Sequence, residues 1–275
     1  MHKIHKKPEL LAPAGNLEKL KYAVMYGADA VYIGGKEFSL RARASNFTLD
    51  DIEEGVKFAK KYGAKIYVTT NIVAHNDNIE DFEDYVKALE KRGVYAIICA
   101  DPYLAKRAID VLNTMEVHIS TQQSITNSYA VNFWYNEGVT RVVLGRELTL
   151  QEIKDIIDNT KAEIEVFIHG GMCSSYSGRC TLSNNMTGRD ANRGGCAHSC
   201  RWRYQMFTQD DQKVSNDETA FSFSARDLMT IRHIPALIEI GVDSLKIEGR
   251  MKSIHYIATV VGTYRKLIDD YFENP

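Results

Sequence analysis

The sequence predicts an α/β fold, a (β/α)8 TIM-barrel-like domain with a Cys-rich insertion and a β-hairpin after the seventh strand. Three observations predict it. Short apolar runs bounded by Gly, Pro, Asn or Asp alternate with longer stretches of helical period, the pattern of repeated β-α units on a parallel sheet. Most of these runs lack polar alternation, as strands buried on both faces should. There are eight of them, and eight units close most simply into a barrel, with a doubly wound open sheet as the alternative.

The strands fall near Glu9–Ala12, Ala30–Gly34, Lys65–Thr70, Tyr95–Ala100, Val117–Thr121, Arg141–Gly145, Glu163–His169 and Ser244–Glu248. Helices are expected over Asn16–Tyr26, Leu49–Tyr62, Ile79–Arg92, Tyr103–Leu112, Asn127–Asn136, Leu150–Asp158, Leu228–Ile240 and Ser253–Tyr271. Thr48 and Thr149 stand at capping positions, the latter three residues before Glu152. Gly27, Gly63, Gly93, Gly138 and Gly241 stand where helices should end. One stretch, Gly170 to Asp227, is too long for an ordinary connection and is expected to be a functional insertion within a single domain spanning residues 1–275. Its second half, Arg203–Thr208 and Glu218–Ser224 around Gln209–Asp217, reads as a hairpin.

The chain carries 34 Lys plus Arg against 36 Asp plus Glu, which excludes a polycation built to coat nucleic acid but leaves room for a local basic face. No window approaches the roughly 18 apolar residues of a membrane span, and the N-terminal apolar stretch Leu10–Ala12 is broken by Pro13. A soluble, cytoplasmic protein is the expectation.

In such a barrel, chemistry belongs where strands exit. The exits here are rich in polar groups: Thr70-Asn71, Asp101, Ser120-Thr121-Gln122, Arg146-Glu147, His169 and Glu248-Gly249-Arg250. Next to them the insertion spaces four cysteines as Cys-x6-Cys-x15-Cys-x3-Cys: Cys173, Cys180, Cys196 and Cys200. Without an export signal such clustering favours metal over disulfides. Four thiolates on glycine-rich backbone can hold zinc or a [4Fe–4S] cluster, and the absence of paired Cys-x2-Cys knuckles leans to iron–sulfur. Cys99, in an apolar run, reads as core. From Cys173 to Tyr204 five arginines (Arg179, Arg189, Arg193, Arg201, Arg203) face one acid, Asp190, a formal charge of +4. Arginine forks of this kind bind carboxylate or phosphate. The pocket-lining candidates are His169, Arg193, Glu248 and Arg250, with His118 and Gln122 flanking the fifth strand's end, Glu37, Arg41 and Arg43 extending the anion site, and Tyr176, Trp202 and Tyr204 able to stack a base.

The run Glu165-Val-Phe-Ile-His-Gly-Gly-Met-Cys-Ser-Ser-Tyr-Ser-Gly-Arg-Cys-Thr-Leu-Ser183 closely resembles the signature of the peptidase U32 family, the collagenase-like proteases. Gly171 departs from the alanine or serine usual there. Supporting resemblances lie at Glu9–Gly15, Asp29–Gly34, His118–Gln122, Arg189–Gly194 and Lys246–Lys252, so the likeness covers nearly the whole sequence. Within the family, Cys200 followed by Arg201-Trp202-Arg203-Tyr204 is similar to the branch that hydroxylates tRNA wobble uridine. The resemblance implies a [4Fe–4S] cluster on Cys173, Cys180, Cys196 and Cys200, oxygen-independent 5-hydroxyuridine formation, and prephenate as hydroxyl source. The catalytic candidates, from their places at strand ends, are His169, Glu248 and Arg250. Arg193, Tyr176, Arg179, His118 and Gln122 are expected to bind substrate. The partners implied are tRNA, a small prephenate-like anionic donor and a homologous partner subunit. Related members often continue into a β-rich C-terminal domain; this sequence ends at Pro275, just after its last helix.

Two other readings compete. Proteolysis, as the family name says, finds no Gly-x-Ser-x-Gly elbow and no His-Glu-x-x-His helix, and a cysteine nucleophile would need His169 or His198 as base. A structural-zinc barrel binding a small anion is the third.

Overall fold

The computed structural model describes residues 6–39, 46–215 and 222–273. Its strands are β1 (Glu9–Pro13), β2 (Ala30–Gly34), β3 (Lys65–Thr70), β4 (Ala96–Cys99), β5 (Glu116–Ile119), β6 (Arg141–Val143), β7 (Glu163–Gly170), β8 (Leu228–Met229) and β9 (Ser244–Ile247). The helices are α1 (Leu17–Met25), α2 (Leu49–Lys61), α3 (Phe82–Lys91), α4 (Pro102–Val111), α5 (Ser128–Asn136), α6 (Leu150–Asp158), α7 (Leu182–Thr187), α8 (Ile234–Glu239) and α9 (Ile254–Glu273). Strands β1 to β6 pair in parallel in chain order, β6 pairs with β7, β7 with β9 and β9 with β1. The ring is closed: an eight-stranded parallel TIM barrel, as predicted. Among the described residues no helix is long and apolar enough to cross a membrane.

Local chemistry explains the joints. Thr48 accepts from Asp51 N, and Asp51 returns a bond to the Thr48 backbone; Thr149 and Glu152 form the same reciprocal cap. All five glycines expected at helix ends carry positive φ. Leu228–Met229 departs from expectation. It leaves the predicted helix as a two-residue strand antiparallel to the end of β7, and the helix starts only at Ile234, with Pro235 in its first turn. Apolar period cannot separate such a short rim strand from a first helical turn. The hairpin also differs: Phe207 pairs with Lys213, closed by bonds from Thr208 N to Gln212 O and Val214 N to Met206 O. Its second arm therefore comes earlier than Glu218–Ser224, most of which lies outside the described residues.

The main core lies between the strands and the helix ring. Inside the barrel a smaller apolar layer of Leu11, Ala30, Tyr32, Tyr67, Ala96 and Ile98 is buried. Toward the strands' N-terminal ends this layer gives way to charge. Arg141 donates to Glu9 Oε1 at 2.6 Å, to Glu163 Oε2 at 2.6 Å and to Glu165 Oε2 at 3.4 Å, and Lys246 donates to Glu165 Oε1 at 2.7 Å. Alternation along the strands puts these residues on the inner face.

His118, expected at the mouth as a substrate-binding residue, is placed inside the barrel. It is fully buried, its Nε2 lies 3.0 Å from Glu116 Oε2, and its ring packs edge-on against Tyr67. Two residues before Ser120 on the same face, it lies in register with Ile98 of the apolar layer and with Arg141. Burial, the largest cause, lowers its pKa from the ordinary histidine value against the pull of Glu116.

Outside the barrel, Glu90 on α3 accepts backbone N–H bonds from Asn113, Thr114 and Met115 at 2.8, 2.7 and 3.1 Å, holding the turn into β5. Partial desolvation pushes this carboxyl up, but the three donors hold it down at about 2. A depressed carboxyl stabilises the fold above its unfolded pKa, and that contribution disappears as pH falls from roughly 4, the ordinary carboxylate range, to about 2. Glu90→Ala, which orphans three donors, is expected to cost about 1–3 kcal/mol at pH 7 in urea denaturation, with the gap to wild type closing below about pH 3.

Candidate active site at the barrel mouth

The Cys-rich insertion is folded onto the C-terminal rim by bonds to three strand exits. Val73 N donates to Asn192 O at 2.9 Å after β3, Ser124 Oγ to Ser177 O at 2.5 Å after β5, and Arg146 Nη1 to Gly171 O at 2.7 Å after β6. Two glycines make the approach possible. Gly170, at φ 106°, turns the chain out of β7 where a Cβ would stand 2.6 Å from the Glu248 carbonyl. Gly178, at φ 72°, lies so close to Gln122 that a Cβ would stand 2.2 Å from its carbonyl oxygen. Gln122, itself bonded by Asn71 Nδ2 at 3.2 Å, is thus directly beneath the insertion.

Within the insertion, buried Ser183 is a hub: its hydroxyl donates to Arg189 O at 2.7 Å and accepts from Ala197 N at 3.0 Å. Asn192 Nδ2 donates to Cys180 O at 3.1 Å and Arg189 Nη2 to Cys196 O at 3.2 Å. His198 adopts φ 55° between Cys196 and Cys200, a strained position for a residue with a Cβ.

All five cysteines are free thiols, and Cys99 is the buried one. Burial pushes Cys99 up to about 12, so it is inert core, as expected. Cys173 is close enough to its neighbours for their charges to register: desolvation raises its pKa most, Arg146 lowers it, and Cys196, Glu248 and Cys200 raise it. Three of the four predicted sulfur donors and Glu248 therefore share one neighbourhood over the mouth. Among the described residues no three His, Cys, Asp or Glu side chains converge tightly enough to hold a metal ion. The donors fit a four-thiolate group in chemistry and are gathered on one lobe, but they are not closed upon a common point.

The other predicted residues divide. Glu248 is half-buried at the end of β9, its Oε2 accepting from Tyr32 OH at 3.1 Å. Arg250 is buried, donating to the Ser39 and Thr69 hydroxyls at 3.1 and 3.0 Å; it ties the β2 and β3 exits together. His169 lies at the register irregularity of β7 and is turned onto α9, with Nδ1 3.2 Å from Tyr264 OH and its ring beside Tyr256. Burial lowers its pKa below the ordinary histidine value, which keeps it neutral at pH 7. Tyr176 and Arg179 are exposed on the lobe, as is Trp202, while Tyr204 OH is bonded to Ser199 O at 2.7 Å. Arg193 reaches across to Asp77 Oδ1 at 3.2 Å and Asn78 Oδ1 at 3.0 Å. It lines a cleft of about 670 Å³ together with Lys36, Glu37, Ile72 and Arg189. Arg41 and Arg43 lie outside the described residues.

Sequence reasoning missed the role of Arg146. It stood out only as one polar strand exit among six, and its contact with the insertion depends on how the insertion folds back.

The chain resembles known proteins over almost its whole length. Its residues 15–275 match the profile of peptidase family U32. It is 58% identical over 99% of its length to a tRNA hydroxylation protein P1 of Bacillus subtilis, spanning 65% of that relative. It is 34% identical over 96% of its length to a collagenase of Porphyromonas gingivalis, spanning 66% of it. Among solved structures, the U32 peptidase Mk0906 superposes with a TM-score of 0.59 at 14% identity, covering 90% of this chain and 96% of that one, a likeness of fold. With the signature run folded into the lobe over the barrel mouth and the profile matched from Gly15 to the last residue, this chain belongs to peptidase family U32.

Proposed function

We propose that this protein hydroxylates RNA, forming 5-hydroxyuridine at the tRNA wobble position without oxygen, with prephenate as the hydroxyl source. One observation carries the reading: a lobe bearing four thiols and five arginines is tethered over the barrel mouth, in a chain 58% identical to a protein named for tRNA hydroxylation. In this reading Cys173, Cys180, Cys196 and Cys200 hold a [4Fe–4S] cluster. When bound, it supplies redox and Lewis-acid capacity that side chains lack.

The remaining work falls to the chain's own groups. The exposed arginines of the lobe hold RNA phosphates, and Tyr176 and Trp202 stack a uridine drawn out of its neighbours' stack. Glu248, at the mouth, takes up and returns a proton, with Tyr32 OH fixing one carboxylate oxygen. His169 and Arg250 position this face, the first by holding β7 to α9 and the second by locking the exits of β2 and β3. Gln122 supports the loop that carries Tyr176.

Proteolysis by a cysteine dyad has less support, because His169, one of the two candidate bases, is turned onto Tyr264 of α9. The test is nucleoside analysis by mass spectrometry of tRNA from a bacterium stripped of its own hydroxylases and expressing this protein. The expected result is 5-hydroxyuridine or its derivatives in wobble-position digests; an unchanged profile, with the protein folded and abundant, would remove the proposal.

A further inference from the structure

We infer that Arg146 is a carboxylate-binding residue at the barrel mouth, gripping a small organic acid through the Nε–Nη2 edge of its guanidinium. The inference deepens the reading above by placing the anionic co-substrate, and rests on that reading only for what the bound acid is used for.

Arg146 lies just past β6, after Leu144 and Gly145, and is half-buried. Its Nη1 is committed to the Gly171 carbonyl at 2.7 Å, with Met172 Sδ at 3.7 Å, two residues and one residue ahead of Cys173. Its guanidinium lies over the Phe167 ring, 3.9 Å from the centroid. Stacking on one side and a fixed Nη1 on the other leave little freedom to the plane of the group. What remains is the side-on edge, Nε and Nη2, the geometry that receives a carboxylate with two parallel bonds.

Among the described residues that edge has no protein acceptor. Nε is shielded from solvent and makes no hydrogen bond, and among the described residues no carboxylate lies within ion-pair distance of Arg146. Arg92, Arg189 and Arg265 also have shielded Nε groups; Arg92 and Arg265 each have a carboxylate beside them, Glu53 and Asp29 respectively, and Arg189 is tied within the lobe by its Nη2 bond to the Cys196 carbonyl. A shielded, charged donor without an acceptor is costly, and in a folded protein such a group is explained by a partner that arrives. Recess favours a small acid over an RNA phosphate: Arg179, Arg201 and Arg203 are exposed on the lobe where a polynucleotide would reach first, whereas Arg146 lies at the strand exit beneath it.

The test is an NMR titration of the full chain with malonate, with inorganic phosphate and malonamide run in parallel. Wild type is expected to bind malonate, with resonances of Phe167 and Gly171 moving. Arg146→Gln should weaken that binding about tenfold or more, the loss of a charge-assisted bidentate contact. Arg146→Lys keeps the charge and a donor for Gly171 while removing the fork, so it separates recognition from folding, and is expected to weaken malonate by several-fold with an unchanged melting temperature. Arg203→Gln, an exposed arginine of the same lobe, is expected to leave malonate affinity unchanged. Malonate binding equal in wild type and Arg146→Gln, absent from wild type, or matched by phosphate at the same residue would each overturn the inference. None of these readouts requires RNA hydroxylation, so failure of the site and failure of the proposed function are seen separately.

Discussion

Replacing Cys173 with alanine is expected to reduce both iron content and hydroxylated nucleoside to background, while Cys99→Ala leaves both intact. The contrast follows from placement. Cys99 is fully buried on β4, its thiol directed to the Asp101 carbonyl at 3.6 Å and pushed up to about 12 by burial. Cys173 stands where Cys196 and Cys200 bear on it; desolvation raises its pKa most, and Arg146 opposes that rise. Four like-charged thiolates in one place repel one another and persist only around a cation. Iron and sulfide assays on the two variants, beside the tRNA nucleoside profile, check the prediction; a Cys173→Ala protein that keeps its iron would show that the ligands lie elsewhere.

The largest expected effect on stability belongs to Glu165. Its carboxylate is fully buried and accepts from Lys246 at 2.7 Å and Arg141 at 3.4 Å, while Lys246 itself is 5% exposed. Glu165→Ala strands the Lys246 ammonium inside the barrel, near the Tyr32 and Phe167 rings but with no counter-charge. Removing one partner of a buried pair costs about 3–5 kcal/mol. Replacing both, as Glu165→Leu with Lys246→Met, is expected to recover much of that loss, since no charge is then left behind. Burial alone would raise the Glu165 pKa, but Lys246 and Arg141 outweigh it and hold the carboxyl below its ordinary value. The group therefore stabilises the fold above the ordinary carboxylate range, and acid unfolding should begin as pH drops beneath it. Urea midpoints of the single and double variants decide the matter: a double variant worse than Glu165→Ala would contradict the account.

Much of the architecture was readable because barrel strands announce themselves. Apolar runs such as Ala30–Gly34 and Lys65–Thr70, each fed by a glycine that ends a helix, keep one identity whatever surrounds them. The rim was harder. Leu228–Met229 pairs with β7 only because the insertion returns there, and nothing within a few residues of Leu228 encodes that. Charge inside the barrel was invisible for a different reason. Glu9, Arg141, Glu165 and Lys246 are far apart in sequence, each looking like an ordinary polar residue at a strand, and only closure of the ring makes them neighbours.

The site shows the same division. The clustering of the cysteines on one lobe and the place of Glu248 at a strand exit were legible from spacing, because both are local facts. His118 is inside the barrel because alternate side chains along β5 share the inner face, and its depth there depends on the register with β4 and β6, which the sequence alone does not give. His169 was placed at a strand end correctly, but the irregularity that turns it onto Tyr264 of α9 leaves no trace in composition. Arg146 was overlooked since its partner, the Gly171 carbonyl, is a backbone atom of a loop whose path depends on Gly170 and Gly178.

The most direct measurement is the metal content of protein purified without oxygen, by visible absorption with iron, sulfide and zinc assays. The account predicts brown protein holding about four irons and four sulfides per chain, as a cluster on four cysteines requires. Colourless protein carrying one zinc, or no metal at all with its four lobe thiols freely titrated, would contradict it.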